Sequence, residues 1–223
     1  LYGYAAKDPA RKLLSTLRKG EYEGLKDRLT GLDKVHQEAT KLPDFGPNKW
    51  NESVAKSGGI TIGSRDILVA YNVNVDEKDA IVAKKIGSLI RGSGRLIKNA
   101  TGDKIRVSGM ISEIQGMGVT LESHSISQVS MNILDVKNCP LHKAFEICRS
   151  IANDHSASLK GSELVGLIPL AAMLESGRWF SKSSKATDEE LVNCAIEGLG
   201  LSELEEFNPR TRIIEWALQE VNR

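Results

Sequence analysis

Five amide- and hydroxyl-bearing side chains sit at alternate positions in two apolar segments: Asn72 and Asn74 in one, Gln128, Ser130 and Asn132 in the other. Alternate positions of an extended chain share a face, so each set points one way. Amides and hydroxyls both donate and accept hydrogen bonds. A buried amide needs a partner, which here is either a second protein surface or a polar ligand. A carboxylate, Glu163, lies in Gly161-Ser162-Glu163-Leu164-Val165-Gly166. It reads either as a solvated or ion-paired edge residue or as a contact to a ligand over the sheet. A third group is the loop from Gly46 to Gly58, with Gly46, Pro47, Asn48, Lys49, Trp50 and Gly58 as candidate binding residues. Glycine and proline fix backbone angles that other residues reach poorly. Such a loop suits a flat ligand or a joint between domains. Trp50 offers a large flat face, either to a planar ring or to a gap in the apolar packing.

The chemistry that is absent narrows the reading. The four histidines, His36, His124, His142 and His155, have no ligand spacing around them, so no metal is expected. Neither a Gly-Lys-Ser/Thr phosphate loop nor a GxSxG elbow is present, and no residue is assigned a catalytic role. Arg91, Arg95, Lys98, Lys104 and Arg106 surround a Gly-rich stretch. They read as a solvated basic loop or as an attractor for an anionic ligand tail.

The elements that must position these residues follow from pattern. Asp66–Val75 alternates as a strand, with Val69, Tyr71, Val73 and Val75 opposite the two asparagines. Asp76 is expected to cap a helix with the stripe Val82, Ile86, Leu89 and Ile90, and a loop is expected from Arg91 to Asp103. A second strand lies within Lys104–Thr120, with Val107, Met110, Ile111, Ile114 and Val119 as core candidates and Gly109, Gly116 and Gly118 as bends. The third strand is Ile126–Val136. The helix after Pro140 has the stripe Leu141, Ala144, Phe145, Cys148, Ile151 and Ala152, and Ser158–Leu167 is the fourth strand. This β-α-β-β-α-β order is the split β-α-β, ferredoxin-like order of an α/β (α+β) sandwich. In it the first and third strands are central neighbours, which gathers the amides into one patch on the face away from the helices.

Further helices flank this region. Asp8-Pro9 is expected to open one bearing Leu13, Leu14 and Leu17, with Arg11, Lys12, Arg18 and Lys19 outside, and Glu21–Leu29 a second. C-terminal helices are expected at Pro169–Ser176, after the capping box Thr187–Glu190, and after Pro209 with Ile213, Ile214, Ala217 and Val221 on one side.

Composition sets the outer limits. With 223 residues, 40% hydrophobic and 26% charged, the chain holds one large domain or two small ones. A net charge of +1 gives no global argument for nucleic acid or membrane partners, and no apolar run spans a bilayer. Cys139, Cys148 and Cys194 are odd in number and widely spaced, which fits a reducing cytoplasmic compartment. Leu1 is not an initiator methionine, so the chain is expected to begin inside a larger domain.

Several segments, taken in order, resemble the formiminotransferase family of histidine breakdown. They are Gly20-Glu21-Tyr22-Glu23-Gly24-Leu25, Pro43-Asp44-Phe45-Gly46-Pro47, and Gly63-Ser64-Arg65-Asp66-Ile67-Leu68-Val69-Ala70-Tyr71-Asn72. Ser127–Asn132, Gly161–Leu170 and Phe207-Asn208-Pro209-Arg210 followed by Ile213-Ile214-Glu215 continue the set. The resemblance implies transfer of a formimino group from N-formiminoglutamate to tetrahydrofolate, a co-substrate, leaving glutamate. It implies residues 1–57 as the tail of a first subdomain with a folate-binding linker, and 58–223 as the second subdomain. The folate segment maps onto Gly46 to Gly58. The family's His-Pro-Arg base is matched by none of the four histidines, and Gly118-Val119-Thr120 stands where Gly-Trp-Tyr is usual. The chain alone is therefore expected to be incomplete, needing the missing N-terminal subdomain. The alternatives are a non-catalytic folate-binding or assembly module, or a relative acting on 5-formyltetrahydrofolate. A homodimer is possible on either view.

Overall fold

The computed structural model describes residues 1–4, 9–11, 14–34, 36, 38–64 and 66–221. The expected cap Asp8, with Lys12, Leu13 and Arg65, lies outside them. The chain forms two compact units, Leu1–Asp66 and Ile67–Arg223.

In the first unit, β1 (Tyr2–Tyr4) precedes a 3-10 turn at Pro9–Arg11 and four short helices. These are α1 (Leu14–Leu17), α2 (Glu21–Thr30), α3 (Glu38–Lys41) and α4 (Glu52–Ser57). The unit closes with β2 (Thr61–Gly63), parallel to β1. Gly20 and Gly31 bound α2 in left-handed conformations with φ of 80° and 78°, where a side chain would be strained. Tyr2, Leu17, Leu25, Leu29 and Val54 form this unit's small core. The stretch expected as a loop contains α4. Asn51 starts it by accepting from the Val54 N–H at 3.0 Å. Only Val54 of this helix is buried, so no apolar stripe announces it.

The second unit contains β3 (Val69–Val75), α5 (Ile81–Ile90), β4 (Arg95–Lys98), β5 (Lys104–Val107), β6 (Ile114–Leu121) and β7 (Ile126–Ile133). It continues with α6 (Leu141–Asp154), β8 (Leu159–Val165), α7 (Leu170–Phe180), α8 (Asp188–Leu199), α9 (Pro209–Arg212) and α10 (Ile214–Val221). The main sheet runs β6-β7-β3-β8, antiparallel throughout, so the first and third strands of the β-α-β-β-α-β order are central neighbours as expected. Val69, Tyr71, Val73, Val75, Val129 and Ile133 are fully buried, and join the α5 and α6 stripes in one core. All six expected stripe residues of α6 are buried. Full burial of a Val or Ile side chain contributes on the order of 1.5–3 kcal/mol.

Several expectations give way to tertiary structure. Asp76 does not cap α5. The helix begins at Ile81, whose N–H is taken by Asp79 Oδ1 at 2.8 Å, while Asp76 N–H donates to Ser158 O at 3.0 Å. The stretch from Arg91 to Asp103 is not one loop, because β4 pairs with β5 as a hairpin. The expected second strand is thus two strands, and Met110 between them is 60% exposed rather than core. Gly118 is not a bend within β6. A Cβ there would lie 2.1 Å from Lys84 N, so its missing side chain lets α5 approach the sheet. The last helix is broken at Ile213, where Ile168 bridges in parallel, and Val221 is 82% exposed while Trp216 is buried. The Thr187–Glu190 capping box forms as expected.

Candidate functional site

The helix-free face of the second unit's main sheet carries three registered rows. Met117, Ser130, Asn72 and Glu163 make one. Gln115, Asn132, Ala70 and Val165 make the next, and Val119, Gln128 and Asn74 lie on the other side. Alternation in β3 and β7 puts apolar side chains into the core and leaves these side chains on the opposite face.

Four of the six expected sheet residues, Asn72, Asn74, Gln128 and Glu163, form one hydrogen-bond network. Asn72 Nδ2 donates to Glu163 Oε2 at 3.1 Å, and Gln128 Nε2 donates to the same oxygen at 3.2 Å. Gln128 Nε2 also donates to Asn74 Oδ1 at 2.8 Å. The amide orientations follow from the acceptor. A carboxylate takes N–H groups, so Gln128 turns its nitrogen toward Glu163. Asn74 must then present its oxygen to that nitrogen. Its own Nδ2 is left buried without a hydrogen-bond partner among the described residues. Asn132 is half-buried on the same face, in register with Ala70, and is not part of these bonds. Glu163 is therefore neither a merely solvated edge nor half of an ion pair with a described Lys or Arg. Two neutral amides orient it.

The loop residues belong to the first unit. Gly46 has φ of 92°, which glycine adopts without strain, and Pro47, Asn48 and Lys49 are exposed. Just before them Asp44 ion-pairs with Arg11 and accepts from the Gly3 N–H at 2.7 Å. Trp50 is half-buried against the first unit's core, with its ring edge-on to Tyr22 at 5.8 Å and 66°. Gly58 lies at the far end of α4, where its N–H donates to Val54 O at 2.8 Å. It lines a cavity of about 330 Å³ with Tyr2, Glu21, Tyr22, Arg28 and Gly59. Gly46–Trp50 are thus contiguous in sequence, while Gly58 follows α4 and lines the cavity beside Tyr22, the same ring that meets Trp50.

The histidines are accounted for without a site. His36 is buried, with Nε2 at 2.8 Å from Thr16 O and Nδ1 at 2.7 Å from Asp33 Oδ2. His142 stacks on Trp179 at 5.0 Å, and burial holds its pKa below the ordinary value. His124 and His155 are exposed, one beside Ser123 and one ending α6. None stands in the three rows. Among the described residues no group of three or more His, Cys, Asp or Glu could hold a metal ion. The basic cluster sits around the β4–β5 hairpin, where Arg91 and Arg106 donate to Gly94 O and Ser93 O. Gln115 and Met117 are face residues that sequence reasoning misses. Alternation in β6 is their signal, but glycines fill its helix-facing positions 116 and 118 and hide the apolar half of the pattern.

Residues 70–219 match the family described as Formiminotransferase domain. The chain is 35% identical over 222 residues to formimidoyltransferase-cyclodeaminase of Gallus gallus, covering 98% of this chain and 38% of that protein. It is likewise 35% identical to the protein of that name from Dictyostelium discoideum, covering 99% of this chain and 38% of the relative. A glutamate formimidoyltransferase of Streptococcus pyogenes serotype M1 is 33% identical over 81% of this chain and 52% of its own length. The chain thus spans well under half of the first two relatives and about half of the third.

Proposed function

This chain belongs to the formiminotransferase domain family, and on that premise we propose that it supplies folate-binding walls for formimino transfer. The reaction moves a formimino group from N-formiminoglutamate to tetrahydrofolate, giving 5-formiminotetrahydrofolate and glutamate. Two candidate surfaces form these walls, each within its own unit: the loop residues Gly46–Trp50 with Gly58 in the first, and the sheet face bearing Asn72, Asn74, Gln128, Asn132 and Glu163 in the second. The observation that carries this reading is the oriented network of Asn72, Gln128 and Glu163 on a helix-free sheet face. A polar constellation of this kind, buried at one end and half-exposed at the other, has the character of a ligand wall.

In the transfer, N5 of the folate attacks the formimino carbon and the glutamate nitrogen leaves from a tetrahedral centre. One proton must leave N5 and one must reach the departing nitrogen. Holding the two substrates together supplies much of the acceleration, and a positioned base supplies another part. This sequence holds no His-Pro-Arg segment, and none of its histidines is among the strand residues of the three rows. On this reading the His-Pro-Arg base of the family is supplied from outside these residues, and this chain positions the heterocycle. The same observation favours a second reading, a folate-binding module without transfer activity. The three free thiols, two of them buried, fit a cytoplasmic setting.

Isothermal titration of the chain with tetrahydrofolate and with 5-formyltetrahydrofolate tests the binding claim. Saturable binding with one ligand per chain is expected. Absence of heat from either folate, with circular dichroism showing a folded chain, would overturn it. Formimino transfer restored by adding a polypeptide that carries His-Pro-Arg selects the enzyme reading. Binding without restorable transfer selects the module.

A further inference from the structure

Glu163 holds more chemical information than a polar wall requires. A carboxylate offers about four lone-pair sites, two on each oxygen. Asn72 and Gln128 both donate to Oε2, at 3.1 and 3.2 Å, which fills that oxygen. Among the described residues no donor reaches Oε1, and that oxygen is not sealed from solvent. The carboxylate is thus locked by one oxygen and presents the other outward with both its sites open.

The surroundings restrict what Oε1 can receive. Its own row continues through Asn72, Ser130 and Met117, and the next row holds Val165, Ala70, Asn132 and Gln115. These rows contain no lysine or arginine, so the site does not favour an anion. Ala70 and Val165 beside Glu163 are small, which leaves a low, flat floor. A flat group carrying two adjacent N–H donors fits this floor and this acceptor.

We propose that Glu163 reads the exocyclic amino group and the neighbouring ring N–H of a 2-aminopyrimidin-4-one, the pyrimidine half of a pterin. This rests on the folate reading above and adds to it the orientation of the heterocycle and the residue that selects it. The amide pair makes the substitution Glu163→Gln unusually informative. Asn72 and Gln128 still need an acceptor, so the new amide turns its oxygen inward to them. Its NH₂ then faces the ligand, donor against donor, in a side chain of nearly unchanged size. Loss of a hydrogen bond to a charged acceptor corresponds to about a tenfold to hundredfold weaker complex.

The experiment is titration of the full chain and its E163Q variant with 5-formyltetrahydrofolate and with the analogue bearing a 2-methyl group instead of the 2-amino group. The wild-type chain is expected to prefer the amino compound by at least about tenfold, and E163Q to remove that preference. Equal wild-type affinity for the two compounds overturns the proposal without any variant. An equal loss for both compounds in folded E163Q, or no loss, overturns it as well and leaves the folate wall standing. No binding of either compound by the wild-type chain overturns both.

Discussion

Replacing Glu163 by alanine separates what the network does for stability from what it does for a ligand. Two donors lose their acceptor, and they are not equivalent. Asn72 is half-buried and can turn to water, which limits its cost to roughly 0.5 kcal/mol. Gln128 is 4% exposed and keeps its bond to Asn74, but its second N–H is left buried and unpaired. An orphaned buried donor costs about 1–3 kcal/mol. The variant should therefore lose about 1.5–3.5 kcal/mol, and Glu163→Gln, which keeps an acceptor in place, under about 1 kcal/mol. Because the chain has two compact units, a global melting curve mixes their transitions. Native-state hydrogen exchange at the amides of β3 and β7 reads the second unit alone. Unchanged protection in Glu163→Ala would show that Gln128 does not depend on this carboxylate, and the network reasoning would fall.

Other consequences are independent of the site. Gly118→Ala places a methyl group 2.1 Å from Lys84 N and 2.3 Å from Ala83 C, both helix backbone. Overpacking of this kind costs about 1–3 kcal/mol, and an unshifted urea midpoint for the second unit would contradict the close packing of α5. Burial pushes the Cys139 thiol up to about 11 and raises Cys148 further, and neither is exposed. Iodoacetamide at about pH 8 should therefore modify Cys194 first in the folded chain, as read by peptide mass spectrometry. Label on Cys148 before unfolding would contradict this. Burial lowers the His142 pKa against the opposing pull of Glu175 and Glu146. The folded state then binds fewer protons than the unfolded one below 6.5, so this contribution is present above 6.5 and lost as pH falls. Between about pH 7.5 and 5.5 the wild-type chain should lose more stability than His142→Phe, and parallel curves would refute it.

The parts of the fold that can be read from sequence are those in which local pattern and tertiary demand agree. In β3 and β7 the alternation of valines with asparagines, glutamine and serine is both the strand signal and the division of faces. The 3.6-residue stripe of α6 is equally unambiguous, since each of its positions is buried. Where a long-range partner decides, pattern is silent. Asp76 and Asp79 both precede α5, but Asp79 is the one that accepts from the Ile81 N–H, while Asp76 N–H is held by Ser158 O across the sheet. The bridge from Ile168 splits the last helix at a place where its own residues show no break. The β4–β5 hairpin hides in Arg, Lys and Gly composition because its apolar residues, Leu96 among them, stay largely exposed.

The site divides in the same way. Residue type and parity alone are enough to place Asn72, Asn74 and Gln128 on one face. Their link to Glu163 is not legible in that pattern, because it depends on the register of β8 against β3, residues 91 apart in sequence. Sequence leaves Glu163 open between solvated edge and ligand contact, and that register is what resolves how it is held. In the first unit, Trp50 shows the converse. Its position in a Gly- and Pro-rich loop suggests an available ring, and part of that ring is already engaged by Tyr22 and the local core.

The most direct test of the sheet face as a folate wall watches the amides themselves. In ¹⁵N-edited spectra, the side-chain NH₂ signals of Asn72, Asn74 and Gln128 should shift together, saturably, as 5-formyltetrahydrofolate is added. Those of Asn153 and Asn193, exposed on α6 and α8, should not move. Stationary signals from Asn72, Asn74 and Gln128, while the ligand binds and other resonances shift, would contradict the account.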